Sequence, residues 1–139
     1  MGIVSTTRIQ VRYRETDQMA VAWHGNYIEW FEIGRLDWWR EQGLSYKDVE
    51  NRGILLPVLK VTCDYHLASH FDEILFVQVR LTEYNGFRMV FSYTITRADD
   101  GALIASGQTE HVTTDRDMHP VRLHRKLPDV HAVLQLAKD

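Results

Sequence analysis

Two carboxylates, a tyrosine and a histidine occur close together in one segment near the N-terminus, residues 13–24. The side chains that could react are those of Tyr13, Glu15, Asp17 and His24. A carboxylate can attack a carbonyl carbon directly or take a proton from a water molecule. The segment could therefore carry hydrolytic chemistry on a carbonyl group, with Asp17 as nucleophile or general base.

The segment leads into a stretch with helical spacing, residues 26–42. Tyr27, Phe31, Gly34 and Trp38 recur at intervals of four, three and four, which places them on one helix face. We expect Asn26 to act as the N-cap, because its side chain can accept a free first-turn N–H. Gly43 is a natural stop, since glycine tolerates the left-handed conformation that ends many helices.

The start of this helix would assist the same chemistry. A helix N-terminus carries partial positive charge and unpaired backbone N–H groups, so it can stabilise negative charge on a carbonyl oxygen, as an oxyanion hole does. A thioester suits so sparse a site, because its leaving thiol has a pKa of only about 8.5 and needs little acid assistance. The alternative is that Asp17 and Glu15 only complement the helix dipole.

The rest of the chain predicts a sheet. Apolar and polar residues alternate in residues 3–13, 61–67, 75–81 and 87–95, and a further strand is expected over 102–113. Asn85-Gly86 predicts a hairpin, since both positions accept positive φ, and Asp99-Asp100-Gly101 marks the next reversal. A short helix is expected over 130–137. One long helix and five antiparallel strands predict an α+β fold with the sheet curled around the helix.

Length and composition narrow the function classes. The 139 residues predict a single domain, residues 1–139. A net charge of −3 without a long basic run argues against nucleic acid as the partner. No apolar stretch approaches the roughly 18 residues that span a bilayer, so no membrane association is expected. Cys63 is the only cysteine, which predicts a reducing, cytoplasmic location.

Several other chemistries lack their motifs. The sequence has no Gly-x-Ser-x-Gly elbow, no Walker loop and no Gly-x-Gly-x-x-Gly fingerprint. His66 and His70 are four residues apart in a strand-like segment, which separates them by about 13 Å. We interpret them as ordinary strand or loop histidines and expect no metal site.

The N-terminal segment and the helix together resemble the signature of the 4-hydroxybenzoyl-CoA thioesterase family, and in particular its YbgC-like branch. The matching positions are Tyr13, Thr16, Asp17, Val21, His24, Asn26, Tyr27, Phe31, Glu32 and Arg35. The likeness continues through Tyr65, Phe71-Asp72-Glu73, the hairpin, and Gly107-x-Thr109-x-His111.

The resemblance implies a hotdog fold and homodimers, often paired into tetramers, with active sites at the dimer interface. It implies hydrolysis of an acyl-CoA or aroyl-CoA to free acid and CoA. Asp17 matches the catalytic carboxylate, and Tyr13 and His24 match the positions that accompany it. The N–H groups near His24 and Gly25 would polarise the thioester carbonyl. CoA is part of the substrate, and no metal or other cofactor is implied.

We expect Gly25, Trp23 and Tyr27 to contact substrate, Trp23 as part of an acyl pocket. Exposed sheet edges independently favour a homodimer joined edge to edge. Plainer interpretations stay open for two catalytic candidates. His24 could be a capping or packing histidine, and the ring of Tyr13 could end a strand in the core.

Some residues depart from the family pattern or have no assigned role. Ala20 stands where the family usually has glycine, which could narrow the conformations of the loop. Glu32 and Arg35 lie three residues apart on the helix and predict an ion pair. Thr109 and His111 share a strand face without an evident role.

Two other functions remain open. The first is hydrolysis of an acyl carrier protein thioester. A basic patch at the mouth of the pocket would favour this substrate, because carrier proteins are acidic, but this acidic chain offers little positive charge. The second is a hotdog module that binds acyl-CoA without turnover. Asp17 discriminates between the classes, because a pure binder has no use for a carboxylate directed at the thioester carbonyl.

Overall fold

A computed structural model describes residues 2–139 of the chain. The sheet contains five strands: β1 Val4–Gln10, β2 Val58–Tyr65, β3 Ile74–Tyr84, β4 Arg88–Arg97 and β5 Leu103–Val112. The helices are α1 Asn26–Glu41, α2 Tyr46–Asn51, α3 Leu123–Lys126 and α4 Pro128–Ala137. All strand pairs are antiparallel, in the order β1-β3-β4-β5-β2.

The sheet packs around α1, which confirms the α+β hotdog arrangement expected from the sequence. Phe31 of α1 stacks on Tyr93 of β4 with ring centroids 4.3 Å apart. Gly34 allows the close approach of helix and sheet, because a Cβ atom there would lie 2.9 Å from the side chains of Val77 and Val79. The buried aromatic face of α1 is therefore the centre of the core.

The element boundaries agree with the sequence pattern to within about three residues, and three local features differ in kind. β1 ends at Gln10, and Tyr13 instead begins a 3-10 turn, Tyr13–Glu15. Gly25 occupies the N-cap position of α1 that was assigned to Asn26, whose side chain turns back to the preceding loop. In the β3–β4 hairpin only Gly86 has positive φ, and the turn is closed by the N–H of Asn85, which donates to the carbonyl of Arg88.

Strand β2 forms one edge of the sheet and, within residues 2–139, pairs only with β5. Its register places Val58 opposite His111 and Tyr65 opposite Ala105. Val58, Leu59, Val61 and Tyr65 are all exposed, so this edge presents apolar side chains beside unpaired backbone groups.

Within residues 2–139, no helix has the length and apolar character needed to cross a membrane.

Candidate active site

The loop between β1 and α1 is organised around one buried carboxylate, that of Glu15. Its side chain accepts hydrogen bonds from the backbone N–H of Arg12 at 2.7 Å and from the indole N–H of Trp30 at 3.0 Å. Its backbone carbonyl accepts from the Asn26 amide at 2.7 Å and from Trp23 N–H at 2.8 Å. Glu15 therefore fastens the loop to the first turns of α1.

The ionised form of Glu15 is favoured in the folded protein. Burial alone would raise the pKa of this carboxyl, but hydrogen bonds from Arg12 and Trp30 and the charge of Arg12 outweigh it and hold the pKa below its ordinary value. An ionised Glu15 therefore holds the loop through specific hydrogen bonds, in addition to the favourable interaction that a carboxylate has with a nearby helix N-terminus.

Asp17 lies in the tight turn that Glu15 positions. Its backbone N–H donates to the carbonyl of Val21 at 2.9 Å, and its backbone carbonyl accepts from Ala20 at 2.9 Å. One carboxylate oxygen, Oδ1, accepts the N–H of Met19 at 2.8 Å. The other oxygen, Oδ2, accepts no hydrogen bond from residues 2–139, so it is free to act on a substrate or a water molecule.

Ala20 adopts a left-handed backbone conformation, with φ of 63°. This conformation costs an L-residue roughly 1–2 kcal/mol relative to the right-handed region, whereas glycine adopts it freely. The usual glycine of the family at this position thus has a conformational reason, and the methyl group of Ala20 introduces strain into the turn that carries Asp17.

We expect Ala20→Gly to raise the free energy of unfolding by about 0.5–1 kcal/mol, because relief of the left-handed strain exceeds the added flexibility of the unfolded chain. Denaturant unfolding would measure it. The matched control is Ala102→Gly, at an alanine outside the left-handed region, where the same change should lower stability. A lower free energy of unfolding in Ala20→Gly than in the wild type would show that the left-handed backbone of Ala20 does not strain the turn.

A cavity of about 290 Å³ opens beside Asp17. It is lined by Asp17, Met19, Val21, Ala22, His24, Tyr27, Tyr65, His66, Leu67 and Ala68. The hydroxyl of Tyr27 lies 2.7 Å from Oγ of Ser69, and the hydroxyl of Tyr65 donates to the carbonyl of His24 at 2.9 Å. These contacts tie the start of α1 to the end of β2 and fix the shape of the cavity.

The start of α1 leaves backbone donors free at this cavity. The N–H of Asn26 donates to the carbonyl of Trp23 at 3.0 Å, and that of Tyr27 donates to the carbonyl of His24 at 3.4 Å. In residues 2–139, by contrast, no acceptor receives the N–H of His24 or of Gly25. Two free backbone donors and the positive end of the helix dipole therefore lie at the start of α1, where His24 lines the same cavity as Asp17.

The six site residues expected from the sequence fall into two groups. Asp17, His24 and Tyr27 line the cavity together. Tyr13, Trp23 and Gly25 lie on the adjoining loop and helix start, outside the cavity lining. The ring of Tyr13 is 77% exposed and packs edge-on against Phe71, so it is not the core residue of the plainer interpretation. A Cβ atom on Gly25 would collide with the indole of Trp23.

The opposite wall of the cavity is formed by residues that no sequence motif marks as part of a site. His66, Leu67 and Ala68 come directly after β2, and Tyr65 entered only as a matching position in the family likeness. His66 bonds to Ser106 rather than to another histidine, at 3.0 Å. In the sequence, the alternation of apolar and polar residues ends at Leu67. This pattern indicates where a strand ends but not which residues that end contacts.

A second cavity, of about 380 Å³, lies along the other half of α1. It is lined by Glu32, Arg35, Leu36, Trp39, Tyr46, Glu50 and Leu56. The predicted ion pair between Glu32 and Arg35 is wrong, because no ion pair joins them within residues 2–139. Arg35 instead donates to the hydroxyl of Tyr93 at 3.0 Å, toward the interior.

The sequence of the chain matches a known family over nearly its whole length. Residues 11–136 match the model of the Thioesterase-like superfamily. The chain belongs to this superfamily. Membership confirms the family and the enzyme class, thioester hydrolase, that the motif around Asp17 predicted.

Individual members of the superfamily are similar in sequence and structure. The Bacillus subtilis protein named "Putative acyl-CoA thioesterase YneP" is 35% identical over 97% of this chain and 98% of its own length. The crystal structure of a DHNA-CoA thioesterase from Staphylococcus aureus is 37% identical, with a TM-score of 0.91 over 96% of this chain and 89% of that one. The acyl-CoA thioester hydrolase YbgC of Escherichia coli O6:H1 is 26% identical over 68% of this chain and 71% of its own length.

Proposed function

We propose that this superfamily member hydrolyses an acyl-CoA thioester to a carboxylic acid and CoA. The observation that carries the proposal is the free Oδ2 of Asp17 at a cavity that His24 also lines, next to the start of α1, where the N–H groups of His24 and Gly25 are free. A carboxylate and free backbone donors are the groups needed to attack a carbonyl carbon and to stabilise its oxygen. The names of the similar proteins support the same reaction.

In this mechanism the thioester carbonyl oxygen accepts from the N–H groups of His24 and Gly25. Either Oδ2 of Asp17 attacks the carbonyl carbon, giving an anhydride that water then opens, or Asp17 takes the proton of a water molecule that attacks instead. In both routes the C–S bond breaks and CoA leaves as a thiolate, which is protonated from solvent. The low basicity of that thiolate, with a pKa of about 8.5, removes the need for a strong acid.

The neighbouring residues are proposed to place the substrate. Trp23 and Gly25 would flank the thioester arm, since the bare Gly25 leaves room for the indole of Trp23. Tyr27, fixed by Ser69, would form the floor of the acyl site. His24 lines the cavity, whereas the exposed Tyr13 would reach substrate from the rim. CoA enters only as part of the substrate, and the proposed reaction uses no metal or prosthetic group.

Release of free thiol from a panel of acyl-CoAs, short aliphatic to aromatic, tests the proposal. We expect the wild-type protein to hydrolyse at least one of them well above the spontaneous rate. Turnover restricted to an acyl carrier protein thioester would identify the alternative substrate. Binding of acyl-CoA without any thiol release would identify the non-catalytic module. The cytoplasmic location expected from the single cysteine stays a prediction.

We also propose that two copies associate through their β2 edges. The edge offers unpaired backbone groups and the exposed apolar residues Val58, Leu59 and Val61. Two identical strands that meet across a twofold axis pair antiparallel, which would give a continuous ten-stranded sheet with both α1 helices on one face. Assembly of such dimers into tetramers stays a prediction from the family resemblance.

Val61→Asp is expected to convert the dimer to a monomer and to lower thiol release, because it places a charge among the apolar side chains of the shared edge. Light scattering coupled to gel filtration measures the mass. Leu136→Asp is the matched control, since Leu136 is exposed on α4 and should leave the mass unchanged. A monomeric wild-type protein, or a dimer that survives Val61→Asp, would rule this interface out.

A further inference from the structure

The peptide group that carries the free N–H of Gly25 also carries the carbonyl of His24. A peptide group is planar and trans, so its N–H and its C=O point in opposite directions. Any group that fixes the direction of the His24 carbonyl therefore also fixes the direction of the Gly25 N–H, which projects from the start of the helix. The hydrogen-bond partners of this carbonyl thus decide how firmly the donor is held.

Two donors hold the carbonyl of His24. The N–H of Tyr27 lies 3.4 Å away, which is longer than the ordinary N–H···O distance of about 2.9–3.0 Å. The hydroxyl of Tyr65 donates at 2.9 Å, from the last residue of β2. Because the backbone hydrogen bond is long, the side chain of Tyr65 is the main restraint on this peptide group.

The other free donor, the N–H of His24, does not depend on a distant side chain. It shares its peptide group with the carbonyl of Trp23, which accepts the N–H of Asn26 at 3.0 Å. The start of α1 thus fixes one of the two donors by itself. The second is fixed by Tyr65, which lies forty-one positions from His24 along the chain.

The hydroxyl of Tyr65 is held in place as a donor. Its ring packs edge-on against Tyr27, with centroids 5.3 Å apart, and edge-on against the ring of His24 at 6.2 Å. Burial, assisted by the neighbouring Cys63, raises the pKa of Tyr65 to about 12, so the hydroxyl keeps its proton at neutral pH. A protonated hydroxyl in a fixed ring can donate continuously to the carbonyl of His24.

A hydrogen bond to the carbonyl also strengthens the N–H of the same peptide group. Hydrogen bonds that follow one another in a chain polarise each other, so donation from Tyr65 makes the Gly25 N–H more positive. Negative charge on a thioester oxygen is largest in the transition state, and a better donor therefore lowers the barrier more than it tightens substrate binding.

We propose that Tyr65 is a positioning residue for thioester hydrolysis, which acts through the carbonyl of His24 to orient and polarise the N–H of Gly25. The inference rests on the proposed thioesterase function, in which that N–H stabilises the thioester oxygen. Tyr65 does not touch the reacting atoms in this role, and its hydroxyl contributes to kcat while the substrate is bound by other groups.

The first test is Tyr65→Phe, which removes the hydroxyl and keeps the ring and its contacts with Tyr27 and His24. We expect kcat for thiol release to fall about 5–30-fold, which is less than the 10²–10³-fold that loss of a whole oxyanion donor costs. KM should stay within about twofold of the wild-type value, because the hydroxyl acts mainly in the transition state.

Tyr84→Phe is the matched control. The hydroxyl of Tyr84, at the end of β3, lies 2.6 Å from Nδ1 of His131 on α4, so this variant also loses a hydrogen bond between a strand tyrosine and a helical segment. Its kcat should stay within about twofold of the wild type, since an interaction away from the reacting groups does not change the transition state. Denaturant unfolding and light scattering establish that both variants are folded and have the wild-type mass.

The second test follows the thioester carbonyl itself. An acyl-CoA labelled with ¹³C at this carbonyl is bound to Asp17→Asn, and infrared difference spectra record its stretching frequency, which falls as the oxygen accepts stronger hydrogen bonds. We expect the bound band to lie below that of the free ester, and to return part of the way in Asp17→Asn/Tyr65→Phe at equal occupancy. In Asp17→Asn/Tyr84→Phe the band should not move.

The outcomes separate this inference from the proposed function. An unchanged kcat in Tyr65→Phe, or a raised KM with kcat unchanged, overturns the positioning role. A lower kcat with an unmoved carbonyl band overturns it too, because the hydroxyl then affects the site without acting on the donor. In each of these cases wild-type thiol release still supports a thioesterase. Absence of wild-type turnover on every ester would defeat the proposed function, and this inference with it.

Discussion

Asp17→Asn is expected to lower kcat for acyl-CoA hydrolysis by at least about 10³-fold, the scale of removing a catalytic base or nucleophile. The amide has nearly the shape of the carboxylate but can neither attack a carbonyl nor hold a proton taken from water. The turn should survive, because the amide oxygen of asparagine can still accept the N–H of Met19 that Oδ1 accepts now. Thiol release under saturating substrate measures the change.

The loss has to be separated from a change in folding or binding. Unfolding of Asp17→Asn by denaturant should match the wild type to within about 0.5 kcal/mol, as for most surface substitutions. Asp99→Asn is the matched control, since Asp99 lies exposed in the turn between β4 and β5 and should retain full turnover. Retention of more than about a tenth of kcat by a folded Asp17→Asn protein would mean that another group carries the reaction.

The features read correctly from the sequence are those set by local periodicity. The spacing of Tyr27, Phe31, Gly34 and Trp38 predicts the buried face of α1, and these four residues are indeed buried against the sheet. The alternation of β3 and β4 likewise predicts which side chains face the helix. Such patterns are informative because one face of each element is buried along its whole length.

The cavity walls could not be predicted, because they depend on contacts between distant segments. Nothing in the residues after β2 indicates that Leu67 and Ala68 face Asp17, fifty residues earlier in the chain. The same holds for Arg35, whose spacing from Glu32 favours a local ion pair. In the folded protein Arg35 instead forms a hydrogen bond with Tyr93, fifty-eight positions away.

Glu15 shows a different limit, which concerns the roles of two like residues within one segment. Two carboxylates two residues apart, Glu15 and Asp17, are equivalent candidates by residue type. The fold separates them, since Glu15 is buried among donors while Asp17 keeps one free oxygen at a cavity. Only burial and hydrogen-bond partners distinguish the carboxylate that holds the loop from the one proposed to react.

Glu15→Ala is therefore expected to lower the free energy of unfolding by about 2–5 kcal/mol. The substitution leaves the indole N–H of Trp30 and the backbone N–H of Arg12 without their acceptor, and each buried donor so orphaned costs about 1–3 kcal/mol. Denaturant unfolding at about pH 7 measures the loss. Glu29→Ala is the matched control, because Glu29 is exposed in the first turn of the same helix.

The free energy of unfolding of Glu15→Gln should fall between those of the wild type and Glu15→Ala. Its amide oxygen can accept one of the N–H groups, but its NH₂ group must then face donors rather than acceptors. Thiol release should fall in Glu15→Ala even under conditions where the protein is folded, because the loop that holds Asp17 has lost its anchor to Trp30. Full activity and full stability in Glu15→Ala would show that the carboxylate does not organise the loop.

The pH dependence of stability provides an independent check that the pKa of Glu15 is lowered, and not raised, by folding. Because the folded pKa of Glu15 lies below its ordinary value of 4.5, its ionised form stabilises the fold fully above that value, and this contribution is lost as the pH falls through the lowered folded pKa. The stability difference between wild type and Glu15→Ala should therefore be largest near neutral pH and shrink in acid. His111, with its pKa lowered by burial to about 4, also destabilises the fold in acid, but it does so equally in both proteins and cancels in the difference.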